Sequence, residues 1–145
     1  MKMEGKNHGR YGRSSLLHQG RVMNHFIITY RIKHDDSYQG RYDAFVRKIK
    51  GFSPDLFWNE TSSFYALQSK ASARDICQVL CNNTGFDCAK DSIVIIDATN
   101  RDLATSGAIQ DPARLKACIG FTARHYSWDI LPDSHSVSAQ PPTAS

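Results

Sequence analysis

The chain has no apolar run approaching the roughly 20 residues that a membrane-crossing helix needs. Its first residues are basic and lack the apolar stretch of a secretory signal. We therefore expect a cytoplasmic protein without a membrane partner. A phosphate-binding glycine loop, a nucleophile elbow and a kinase signature are all missing. The common nucleotide-hydrolysing and acyl-transfer classes thus find no footing, and no small-molecule substrate is indicated. Cysteine is scarce: Cys77, Cys81, Cys88 and Cys118. None forms a tight Cys-x2-Cys pair or stands near short-spaced histidines, as zinc sites require. The expectation is four buried core thiols, no metal site and no cofactor, with a metal or redox site as the rival reading of the cysteines.

A positive excess is present but misplaced for a folded nucleic-acid binder. The formal charge is +4 over 145 residues. Residues 1–24 hold Lys2, Lys6, Arg10, Arg13 and Arg21 against Glu4 alone. Residues 25–145 hold 13 basic and 13 acidic side chains, which cancel. A nucleic-acid partner would need a local basic face instead. Residues 1–22 are polar and aperiodic and read as a disordered basic extension. Gly9-Arg10-Tyr11-Gly12-Arg13 is one copy of an arginine-glycine motif, and Met23 is a candidate natural start. Residues 131–145, rich in serine with Pro132, Pro141 and Pro142, read as a disordered tail.

Between these ends the periodicities alternate. Residues 25–33 form a β-rich run in which Phe26, Ile28, Tyr30 and Ile32 share one face. Ile27, Thr29, Arg31 and Lys33 share the other. Tyr38, Tyr42, Phe45, Val46 and Ile49 then recur at helical spacing, which predicts a helix over 37–50. Asp36 or Ser37 would cap it and Gly51 would end it. Leu56–Trp58 and Ser63–Gln68 read as two strands joined at Asn59–Ser62. A second helix over 71–83 buries Ala73, Ile76, Cys77 and Leu80, with Ser72 and Asp75 at capping-box spacing. Ile93-Val94-Ile95-Ile96 is a strand apolar on both faces, so both faces need cover.

The order β-α-β-β-α-β predicts an α+β, ferredoxin-like sandwich over residues 23–100, with a four-stranded antiparallel sheet and two helices on one face. The other face could be covered by a second copy, giving a homodimer. The rival cover is a C-terminal extension over 101–130, where Asp111-Pro112 would start a short helix ending at Gly120.

Three segments carry a family resemblance. Phe26-Ile-Ile-Thr-Tyr30, Glu60-Thr-Ser-Ser-Phe64 and Asp91-Ser-Ile-Val-Ile-Ile96 look like the small ferredoxin-like CRISPR-associated adaptation proteins. The chain resembles still more their SinR-like relatives. The resemblance covers about residues 24–98 and implies a dimeric core. It also implies a metal-dependent nuclease role for an aspartate after the tyrosine. Here Tyr30 is followed by Arg31, a fixed cation that would repel a metal ion. Arg31 would instead grip a phosphate or pair with a carboxylate such as Asp97.

Three constellations remain. His34, Asp35 and Asp36 could form a displaced acid–base or metal site, or simply a polar turn before a helix. Arg41, Arg47, Lys48 and Lys50 could track a phosphate backbone, or be a solvated helix side. Phe57, Trp58, Phe64 and Tyr65 could stack bases, or serve as core and interface, with Trp58 and Tyr65 the candidate dimer contacts. The leading expectation is a small dimeric nucleic-acid-associated or assembly module without nuclease activity. The alternatives are a Mg2+- or Mn2+-dependent nuclease or ribonuclease toxin using Asp35 or Asp36, and a structural protein-binding subunit.

Overall fold

The computed structural model describes residues 22–128. The expected disordered segments, 131–145 and all but the last residue of 1–22, lie outside the described residues, as does the arginine-glycine motif. The described chain is a mixed α+β layer structure with six strands in one sheet and three helices. In chain order these are β1 (Asn24–Arg31), α1 (Tyr38–Phe52), β2 (Phe57–Trp58), β3 (Phe64–Ser69), α2 (Ala73–Asn82), β4 (Ser92–Asp97), β5 (Asp102–Gly107), α3 (Pro112–Ile119) and β6 (Thr122–His125). The sheet order is β2-β3-β1-β4-β5-β6. Every neighbouring pair is antiparallel except β5 and β6, which run parallel. Parallel neighbours need a crossover, and α3 lies within it.

The sheet therefore corrects the expected count of four strands and the expected all-antiparallel arrangement. The additional strands come from the region expected to hold only a short helix. β5 escapes a periodicity search because its sequence, Asp-Leu-Ala-Thr-Ser-Gly, is built from small residues. It is a strand because of where it lies: Leu103, Ala104, Thr105 and Ser106 are all buried. A tight turn delivers it. The Asp97 carboxylate accepts the Thr99 and Asn100 amides at 3.0 and 2.9 Å, and Arg101 takes a left-handed φ of 54°.

One face of the sheet carries the core. Phe26, Ile28 and Tyr30 of β1, Tyr65 and Leu67 of β3, and Ile93 and Ile95 of β4 are buried there under α1 and α2. Phe45 and Ile49 from α1, with Ile76, Cys77 and Leu80 from α2, complete it. Each fully buried large apolar side chain is worth roughly 1.5–3 kcal/mol. Helix α2 starts two residues inside the expected limit, at the expected reciprocal box between Ser72 and Asp75. Helix α1 runs two residues past the expected end, through Gly51. Phe52 packs on the core, and Ser53, just before Pro54, closes the helix instead. α3 matches its predicted limits: Asp111 accepts the Arg114 amide at 2.8 Å, and Gly120 ends the helix at φ 72°.

The opposite face divides into two parts. Over β5 and β6 lies α3, whose Ala113 and Leu115 line a cavity of about 210 Å3 together with Leu103, Thr105 and Ala123. Over β1, β3 and β4 the matching positions are Ile27, Thr29, Ala66, Val94 and Ile96, all half-buried. Among the described residues no helix packs on that stretch. Among the described residues, the C-terminal region thus supplies part of the second cover and places no element over the middle. No helix among the described residues is long and apolar enough to cross a membrane.

Candidate functional site

The chemistry-bearing side chains gather where β1 ends and β4 begins. Antiparallel register places Arg31 opposite Ser92, one residue after Asp91. Asp91 is fully buried, which demands that each carboxylate oxygen be engaged. Oδ1 accepts the Lys33 amide at 2.8 Å, and Oδ2 accepts the Asp87 amide at 2.8 Å. Oδ2 also takes the Arg41 guanidinium in a close ion pair. One carboxylate thereby ties the end of β1, the first turns of α1 and the approach to β4.

Arg41 is spent within this network. Its side chain is only 10% exposed, and its second arm reaches Asp35 Oδ1 at 3.2 Å and the Lys33 carbonyl at 2.9 Å. Nε donates to Ser37 Oγ at 3.0 Å. The expected basic face therefore loses its first member to an internal staple. Arg47 and Lys50 are exposed and Lys48 is half-buried. At about 100° per residue these three spread around the outer half of α1 and do not line one strip. Lys50 also lies 5.7 Å from the Phe57 ring centre.

Asp35 is equally engaged. Oδ2 receives the Lys90 ammonium at 2.5 Å, and Oδ1 accepts both the Ser37 amide and its hydroxyl, at 3.0 and 2.8 Å. The Lys90 and Ser37 hydrogen bonds, aided by Arg41, hold its carboxyl well below the ordinary carboxylate range. Asp36 is exposed and in no salt bridge among the described residues. His34 is exposed and stacks on Tyr38, with ring centres 4.4 Å apart. The trio is a polar turn by geometry. Ser37 occupies the N-cap position, but its side chain makes no capping bond, because Asp35 has taken it. No group of three or more histidine, cysteine or acidic side chains converges among the described residues.

Arg31 and Asp97 do not meet. Asp97 stands opposite Phe26, at the far end of the same strand pair, and closes the β4–β5 turn. Arg31 is exposed, in no salt bridge among the described residues, and lines a groove of about 570 Å3 with Lys33, His34 and Lys90. Lys33 and Lys90 were not assigned a role from sequence. The signal for Lys33 was its shared strand face with Arg31; nothing in the sequence points to Lys90. Tyr30 faces the core, against Phe45 at 4.8 Å. Burial, followed by a hydrogen bond with Tyr42, pushes its hydroxyl above the usual tyrosine range.

The four aromatics split across the sheet. Tyr65 is 4% exposed and packs toward Phe57 at 5.9 Å under the helices, so it faces away from the open side. Trp58 is 42% exposed and meets Phe64 edge-on at 5.7 Å on the open side. They form two pairs, and no continuous stacking row. The thiols divide too: Cys77 and Cys81 are buried as expected, whereas Cys88 and Cys118 are exposed. Cys88 sits in the loop before β4, its sulfur 3.8 Å from the Ser106 hydroxyl. Cys118 is on the outer side of α3, a helix that buries none of its residues. A hydrogen bond with Cys81, then burial, pushes the Cys77 thiol up.

No family model matches the chain. No curated protein matches it, and no solved structure does.

Proposed function

We propose that this chain is a small, non-catalytic assembly module that pairs with a second copy of itself through the open sheet face. Its centre, residues 23–100, is a ferredoxin-like unit in this reading. Support comes from the order β2-β3-β1-β4, antiparallel throughout, with α1 and α2 on one side. The kinship with CRISPR adaptation dimers and SinR-like proteins rests on the three sequence segments alone. The observation that carries the proposal is the band of Ile27, Ala66, Val94 and Ile96, bordered by the exposed Leu56 and Trp58. Contiguous apolar surface of this kind, rimmed by polar groups, marks association sites. The nuclease alternative is weakened because Asp35 is neutralised by Lys90 and Arg41.

Sedimentation of the full chain tests the pairing. The expected result is twice the monomer mass, falling toward the monomer in Trp58→Glu and in Thr29→Lys. A stable monomer at micromolar concentration refutes it.

A second reading, contact with nucleic acid, is favoured by one observation. Arg31, Arg47, Lys48 and Lys50 take part in no salt bridge among the described residues, so their charge is available to phosphates.

A further inference from the structure

We infer that the groove at the end of β1 is an anion site for a phosphomonoester, a phosphate group carried at the end of a molecule rather than within a chain. The inference goes beyond the assembly reading, since neither the open apolar band nor α1 takes part. Arg31, Lys33, His34 and Lys90 line the groove, with Ala89 and Ala108 among the remaining wall. Among the described residues, every charged side chain in that lining is a cation and none is a carboxylate.

The nearby acids explain why. Asp91 is buried and consumed by Lys33, Asp87 and Arg41. Asp35 is clasped by Ser37, Arg41 and Lys90. Asp87 accepts the Ala89 amide at 2.9 Å and approaches Lys90 at 3.7 Å. Their role toward the groove is to fix Lys90. An ammonium has three donors, and two carboxylates hold this one, leaving a donor for a ligand. Arg31 and Lys33, two residues apart, emerge on the same side of the chain, and neither is in a salt bridge among the described residues. One anchored cation beside two unengaged ones suits a compact dianion. A phosphomonoester carries about −1.5 to −2 at neutral pH. A phosphodiester carries a single charge, and a guanidinium grips phosphate oxygens in pairs. At about 570 Å3 the groove also has room for the sugar attached to the phosphate.

The test is calorimetric titration of the full chain with adenosine monophosphate, adenosine and inorganic phosphate. Two matched oligonucleotides, with and without a 5′-phosphate, complete the set. The monophosphate should bind and adenosine should not. Arg31→Ala and Lys33→Ala should each weaken binding about tenfold, the loss of one charge-assisted contact at an exposed site. Lys70→Ala should leave it unchanged. Both groove residues are exposed, so unfolding curves should match the wild type and separate lost binding from lost fold. Tighter binding of the 5′-phosphorylated oligonucleotide assigns the site to nucleic-acid ends. Binding of inorganic phosphate and monophosphate without that preference assigns it to a small soluble anion. Either supports the site. No binding of any phosphate probe at millimolar concentration overturns it. So does binding that persists in the Arg31→Ala/Lys33→Ala double variant.

Discussion

Replacing Asp91 by asparagine exchanges one carboxylate oxygen for an NH2 group and should destabilise the fold by a large part of its margin. The wild-type side chain has two acceptor oxygens and accepts from three donors: the Lys33 amide on Oδ1, and the Asp87 amide and Arg41 on Oδ2. Asparagine keeps one oxygen. In either flip its NH2 group faces a donor, so at least one buried N–H is orphaned, at about 1–3 kcal/mol each. Arg41, 10% exposed, also loses its buried counter-charge and keeps Asp35 at 3.2 Å as its one carboxylate among the described residues. Breaking a buried pair from one side costs about 3–5 kcal/mol, a range that already contains the orphaned donor. Domains of this size have roughly 5–15 kcal/mol to lose. With a urea slope of about 1–3 kcal/mol per molar, the midpoint should fall by roughly 2 M at an unchanged slope. Circular dichroism and fluorescence should report the same transition. Adding Arg41→Met should recover part of the loss, since it removes the stranded cation. A midpoint shift below about 0.5 M, or strictly additive losses, would refute the staple.

Gly107→Ala should be severely destabilising, by about 3 kcal/mol or more in the same assay. Its φ is 84°, and a Cβ there would run into the Asp91 carbonyl and lie 2.9 Å from the Phe86 ring. Asp35 predicts an acid-dependent term. Its folded-state pKa is depressed, so its stabilisation is present above the unfolded value and lost as pH falls through about 4 and below. The gap between wild type and Asp35→Asn should therefore stay constant above about pH 5 and narrow steadily as pH falls below about 4; a gap that stays constant there contradicts the Lys90 pairing. Charge reversal at Arg47 and Lys48 should weaken nucleic-acid binding and flatten its salt dependence. An unchanged slope leaves that face as solvated surface. A thiol reagent should modify Cys118 and Cys88 in the folded chain before Cys77 and Cys81, and equal rates would contradict the observed burial.

Sequence legibility followed periodicity. β1, α1, α2 and α3 were readable because apolar spacing, the Ser72–Asp75 box and Asp111-Pro112 each state a boundary in local terms. β5 was not, because its residues are buried by neighbours rather than by their own hydrophobicity. The turn before it did leave a signal in Asp97, Asn100 and the charged Arg101. At the site, charge type was visible but pairing was not. Arg41 looked like its helical neighbours Arg47 and Lys48. Only the fold brings Asp91 to it across 50 residues of chain. For the same reason Asp35 read as available when Lys90, 55 residues away, neutralises it. Tyr65 and Trp58 were grouped by chemistry, and strand alternation then sent them to opposite sides.

The two outermost strands have a consequence for how copies can join. One rim, β2, is two residues long, and the other, β6, is four and ends in Arg124 and His125. Rims this brief, one of them charged, offer little backbone for an incoming chain to hydrogen-bond, which discourages end-to-end growth into fibres. Contact through the broad face, closed by a two-fold axis, stops at a pair.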